Sequence, residues 1–204
     1  MSRFSAQIDL KLNTSNKNYH IIRMANEKIK IKNILDAITP YDALAILKKL
    51  AMEDAEIAKK IERHATEYLA EVDVEEIADI VFGELDSIDI EDVWDRSGKT
   101  RYGYIDPNEM VLEVFEENIE PFLEELKKYQ ELSMHNEAMH YCMGILKGIY
   151  RFDKESKTQY REWAEETPPE YFDMVLKKWK QDCATPDELE IMEKFVRDNF
   201  PEWS

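Results

Sequence analysis

Apolar residues recur along this chain with the period of a helix, and most recurrences follow a helix-start signal. Four starts share one grammar: Thr39-Pro40-Tyr41-Asp42, Asp106-Pro107-Asn108-Glu109, Thr167-Pro168-Pro169-Glu170 and Thr185-Pro186-Asp187-Glu188. In each, an oxygen-bearing side chain stands where it accepts a bond from an orphan N–H of the first turn. Proline follows at the first helical position, where its missing N–H costs nothing. The carboxylate that comes next favours the positive end of the helix dipole and, as glutamate, closes a capping box. Asp73-Val74-Glu75-Glu76 does the same without proline.

The stripes that follow have helical spacing. Ile57, Ile61, Ala65, Tyr68 and Val72 make one, and Val74, Ile77, Val81, Leu85 and Ile88 a second. A third runs from Val111 through Phe115, Ile119, Phe122, Leu126 and Tyr129. Its continuity across Pro121 predicts one long kinked helix, the alternative being a second helix capped near Asn118. Met134, Ala138, Tyr141, Cys142, Ile145 and Ile149 form the next stripe, widened by Met139, Met143, Leu146 and Tyr150. A helix so apolar is expected to be central. Phe172, Leu176 and Trp179, then Leu189, Met192, Phe195 and Val196, mark the last two helices. Gly144 and Gly148 leave a groove on the central helix for a second backbone, with His140 placed to hydrogen-bond across it. His64, beside Ile61 and Ala65, reads as a histidine at the edge of the core.

Strand patterning is confined to residues 1–32, where Ile8, Leu10 and Leu12 alternate with polar neighbours, as do Ile29 and Ile31. That supports a short β-hairpin or an irregular arm. The expected fold class is therefore all-α. Roughly seven or eight helices would form an irregular α-α superhelix of HEAT- or tetratricopeptide-like pairs, with a compact bundle as the alternative. Residues 1–32 form a basic N-terminal arm and 33–204 a single helical-repeat domain. No fixed repeat length runs through the chain.

Charge sharpens this picture. Lys and Arg number 27 against 44 Asp and Glu, a net charge of −17 over 204 residues. Nucleic-acid binders need a basic surface to displace counterions from phosphates, so the charge argues against a general role of that kind. The first 32 residues run the other way, with seven cations against Asp9 and Glu27. Such an arm folds back on the acidic body or reaches for an anionic partner, weak nucleic-acid contact included. Two cysteines, Cys142 and Cys183, lie outside any CxxC pair. With no apolar leader and no run of membrane-spanning length, they point to a reducing cytoplasm and away from a membrane.

Chemistry has one conspicuous candidate. Ser97-Gly98-Lys99-Thr100 has the ending of a nucleotide-binding P-loop, but Val93 stands where the motif needs its first glycine. The preceding "SIDIEDVW" is too polar for the buried strand such a loop follows. The P-loop reading fails. What remains is a long connection from Ile88 to Pro107 that gathers Trp94, Arg96, Lys99, Arg101, Tyr102 and Tyr104. Arginines among aromatics on an acidic body can grip a carboxylate or phosphate. Alternatively, Arg96 and Arg101 pair with the body's own carboxylates while Trp94 and Tyr104 plug the core.

"ELSMHNEAMHYC" collects Glu131, His135, Glu137, His140 and Cys142, but one helix cannot converge three of them on an ion. No metal and no cofactor is expected. Nor does the chain carry a nucleophile elbow, a glycine-rich loop after a strand, or a histidine pair at ligand spacing.

"DVWDRSGKTRYGY" from Asp92 to Tyr104 and "PFLEELKKYQELSMHNEAMHYCMGILKGIYRF" from Pro121 to Phe152 resemble a group of uncharacterised archaeal and bacterial helical proteins. More distantly, the alternating helices of residues 40–182 are similar to the helical region that accompanies SWIM-type zinc fingers. The resemblance implies an α-superhelical fold and brings no activity, cofactor or catalytic residue. The finger's own Cys and His signature is missing here, so zinc and DNA binding do not carry over. The function expected from all this is a non-catalytic helical scaffold or adaptor for a protein or peptide. The alternative is an enzyme or accessory subunit whose anionic small-molecule ligand is held by the 94–104 loop.

Overall fold

The computed structural model describes residues 31–101, 103–182 and 185–203, the side chains of Thr100 and Asp182 excepted. Among these the protein is all-α, with ten helices and one two-stranded sheet. The expected N-terminal hairpin lies almost wholly outside the described residues. No described helix is both long and apolar enough to cross a membrane.

The chain divides into two compact units, residues 1–65 and 66–204. In the first, residues 31–37 are helical (α1), followed by α2 (Pro40–Glu53) and α3 (Ala55–Leu69), which ends in the second unit. Thr39 and Asp42 close a full capping box at the start of α2, so aspartate does here what was expected of glutamate. Asp54 accepts from the N–H groups of Glu56 and Ile57 and so opens α3 directly behind α2. No described residue of 31–65 is buried. His64 is exposed beside Arg63 and does not sit at a core edge; the stripe it adjoins is only half-covered.

The second unit contains α4 (Val74–Asp86), α5 (Ile90–Arg96), β1 (Gly98–Thr100), β2 (Gly103–Ile105) and α6 (Pro107–Glu131). It continues with α7 (His135–Glu155), α8 (Gln159–Trp163), α9 (Thr167–Asp182) and α10 (Pro186–Asn199). Asp73, Asp106 and Thr185 cap their helices as the sequence predicts, and Thr185 with Glu188 forms a second capping box. At the fourth proline-marked start, Thr167 is buried and is itself the first helical residue. One helix runs through Pro121.

The core is built around α7. Its buried residues include Ala138, Met139, Cys142, Gly144, Ile145, Leu146, Gly148, Ile149 and Phe152, so α4, α6, α9 and α10 all pack on it. The contact with α4 is the most extensive. Gly144 and Gly148 make it close, since a Cβ on Gly148 would lie 2.5 Å from Val81 Cβ and 2.9 Å from the Ala78 carbonyl oxygen. Lys147 and Arg151 flank the seam and reach Glu75 and Asp79 on α4. His140 makes no hydrogen bond across it among the described residues; the groove is filled by backbone and aliphatic carbon instead.

The segment from Ile88 to Pro107 differs from expectation. It is not an irregular connection but a seven-residue helix and an antiparallel hairpin, and its strands lie far outside residues 1–32. Gly98 and Gly103 take φ of +83° and +144°, values that L side chains rarely adopt. These glycines allow the short strands to turn back on themselves with Gly98 opposite Ile105 and Thr100 opposite Gly103.

Candidate functional site

The hairpin is not the strand-to-helix geometry that a P-loop at Ser97-Gly98-Lys99-Thr100 would need. Lys99 lies in β1 opposite Tyr104, and the chain turns into a second antiparallel strand where a P-loop opens a helix. Lys99, Arg101 and Tyr104 are exposed, and Tyr102 lies outside the described residues. Tyr104 therefore plugs nothing.

Trp94 and Arg96 turn the other way, onto the unit's own helices. The Arg96 guanidinium donates to both Glu117 carboxylate oxygens, at 2.7 and 2.6 Å, and to Glu113 at 3.2 Å. The bond from Arg96 holds the Glu117 carboxyl below the usual carboxylate range, and the same bond raises the Arg96 guanidinium. The pair faces solvent, so it contributes at most about 1 kcal/mol. Its effect is positional: α5 is tied across to α6. The Trp94 ring meets the Trp163 ring edge-on at a centroid distance of 4.6 Å.

Trp163 leads from this cluster into a groove. Its place is set by the short helix α8. Thr158 accepts the Arg161 N–H and caps the helix, and Arg161 also reaches Asp153 at the end of α7. Tyr160, fully buried, donates its hydroxyl to the Val111 carbonyl of α6 at 2.8 Å. Five residues cannot hold a helix by themselves, so these ties carry it. With Tyr160 pointing inward, Trp163 is left 44% exposed.

The groove has a volume of about 480 Å³. Asn108, Val111 and Leu112, in the first turns of α6, form one wall. Glu162 and Trp163 of α8, the Glu165–Glu166 link, and Thr167 and Glu170 of α9 form the other. Four carboxylates and no cation line it, and among the described residues none of the four is ion-paired. Two of its apolar side chains, Leu112 and Trp163, are substantially exposed. An aromatic face beside several carboxylates suits a cationic head on an apolar stem, by cation–π contact and charge pairing together.

Cys142 is completely buried, and burial pushes its thiol up, which makes it inert at neutral pH. Among the described residues no three His, Cys, Asp or Glu side chains are placed to hold a metal ion. A second groove of about 430 Å³, between α9 and α10, carries both signs of charge and is bridged by Lys180 and Glu193 at 3.6 Å.

Of the six residues singled out from the sequence, the structure thus brings Trp94 and Arg96 to the body and leaves Lys99, Arg101 and Tyr104 on the hairpin. The groove beyond Trp163 is not legible in the apolar pattern, because α8 is shorter than two helical periods. The signals that could have found it are the Thr158 cap and the tryptophan followed closely by Glu165 and Glu166. No protein-family model matches the chain, and neither does any curated protein or solved structure, so no residue role comes to this site from another protein.

Proposed function

We propose that this chain is a non-catalytic helical adaptor whose groove around Trp163 takes a lysine- or arginine-bearing segment of a protein partner. The fold that goes with this reading is an irregular array of α-α pairs, of which α6 with α7 is one, presenting the groove along one side. One observation carries it: the half-exposed Trp163 stands among four carboxylates that pair with no cation among the described residues. The alternative, an anionic small molecule held by residues 94–104, has less support. Arg96, the cation best placed to anchor it, is already committed to Glu113 and Glu117.

Titration of the full chain with lysine- and arginine-rich peptides, followed by calorimetry, tests the reading. Binding is expected to weaken at least tenfold in Trp163→Ala and in the double variant Glu165→Gln/Glu166→Gln, with thermal unfolding unchanged in the latter. It should also fall with added salt. Peptide binding that ignores both variants, or no binding of either peptide, overturns the proposal.

A further inference from the structure

Tyrosines aside, Thr167 is the only described residue that is buried and carries a hydroxyl, an amide or a charge; it is 5% exposed. It opens α9 and lines the Trp163 groove. Its N–H donates to the Ala164 carbonyl at 3.1 Å, but its hydroxyl makes no hydrogen bond to any described residue. The oxygen is not sealed in either, since the enclosed side-chain atoms without a partner belong to Asp86, Gln130 and His135. It therefore opens on the groove. Buried polar side chains ordinarily find a partner, and one left over in a groove wall marks where a ligand's donor fits.

The other open polar groups of the groove are acceptors too. Glu162, Glu165, Glu166 and Glu170 pair with no cation among the described residues. The Asn108 amide nitrogen donates to Asp106 at 2.9 Å, which leaves its carbonyl oxygen over. Donors from α9 are scarce. Pro168 and Pro169 remove two of the N–H groups that a helix start turns outward, and those of Thr167 and Glu170 go to the Ala164 and Glu166 carbonyls. A ligand must therefore bring both the hydrogens and the positive charge.

Two side chains can do that, and they differ in how many acceptors they serve. Lysine brings a compact, strongly hydrated ammonium with three N–H donors. Arginine brings a planar guanidinium with five in a fixed fork, more weakly hydrated and able to stack on an indole face. Trp163 is placed for stacking: the Trp94 ring braces it edge-on, and 44% of it stays exposed. Resting on the reading of the groove as the seat of a cationic segment, we propose that it selects arginine over lysine. The guanidinium lies on the Trp163 ring and one of its N–H groups donates to the Thr167 hydroxyl.

Calorimetric titration of the full chain with two peptides that differ at a single position, arginine in one and lysine in the other, tests the proposal. The arginine peptide is expected to bind roughly tenfold more tightly, and Thr167→Val to abolish that difference by weakening the arginine peptide alone. Thr167→Ser keeps the hydroxyl and should keep the preference. Thermal unfolding of the valine variant should match or exceed the wild type's, because no internal hydrogen bond is lost. Should valine fail to fold, Thr167→Ala set against Thr167→Ser isolates the hydroxyl in the same way. Equal binding of the two peptides, both abolished by Trp163→Ala, overturns the arginine preference and leaves the adaptor reading standing. An arginine preference that survives in Thr167→Val or Thr167→Ala overturns the role of the hydroxyl. Binding of neither peptide brings down the adaptor reading itself, and the preference with it.

Discussion

Tyr160 shows how much one side chain can decide here. Its hydroxyl is buried and donates to the Val111 carbonyl, joining a five-residue helix to α6, and Trp163 and Glu162 follow from that placement. Tyr160→Phe removes the donor and leaves the ring packed. The expected loss is about 1 kcal/mol of unfolding free energy, read from denaturant midpoints, with weaker peptide binding at the groove. A stability unchanged within error would mean the bond is not holding α8. Other single residues were legible from their neighbours alone. Thr39, Asp73, Asp106 and Thr185 cap helices because a short polar side chain before Pro or Glu has one good use there. The turn at Arg101 was not legible. It lacks the Asn-Gly or Asp-Gly signature of a tight hairpin, and its information sits in Gly98 and Gly103, each of which also reads as an ordinary loop residue.

Among the elements, the α4–α7 seam is the clearest case of a sequence pattern becoming geometry. Two glycines one helical turn apart let α4 settle onto α7, so the same residue type has opposite consequences in the two helices. On α7, Gly148→Ala puts a methyl group 2.5 Å from Val81 Cβ and 2.9 Å from a backbone oxygen that cannot rotate away. The strain, about 1–3 kcal/mol, outweighs the ~1 kcal/mol that alanine gains over glycine in a helix. On α4, a Cβ at Gly83 meets nothing within 4 Å. Gly83→Ala is therefore expected to raise the melting temperature and Gly148→Ala to lower it, each by a few degrees, in parallel calorimetric scans. Equal shifts of the same sign would show that propensity and not packing governs the seam. The small–xxx–small spacing announced that a backbone would approach. It did not say which one, because α4 and α7 are separated in the chain by two helices and a hairpin. His140 misled for a related reason: the contact is too close and too aliphatic to admit a polar partner.

At the scale of the molecule, an all-helical body with a large negative charge was readable from composition and period, and the source of its pH sensitivity was not. Tyr141 stands in an apolar stripe and Tyr160 and Tyr171 in none, and neither position reveals that burying a tyrosine also fixes its proton. Burial, with nearby carboxylates adding to it, pushes the Tyr141 and Tyr171 hydroxyls up to about 12, and burial, with Tyr171 adding to it, raises Tyr160. An acid whose folded-state pKa is raised keeps its proton longer in the native protein than in the unfolded chain. Its stabilising contribution is complete below the unfolded value of about 10 and is lost as pH climbs toward about 12. In that window each such tyrosine lowers the unfolding free energy by roughly 1.4 kcal/mol per pH unit, so the three together make the slope steep. Self-repulsion of a unit with 36 carboxylates and 15 cations acts in the same direction, and added salt should soften that part alone. Denaturant titrations across the alkaline range, with tyrosinate absorbance recorded in each sample, separate the two. Stability should fall steeply above about pH 10 in both low and high salt, with a fraction of the tyrosinate signal appearing only on unfolding. Full tyrosine ionisation in the still-native protein near pH 10 would mean these hydroxyls are hydrated, and the packing of α8 and α9 on α6 would need to be redrawn.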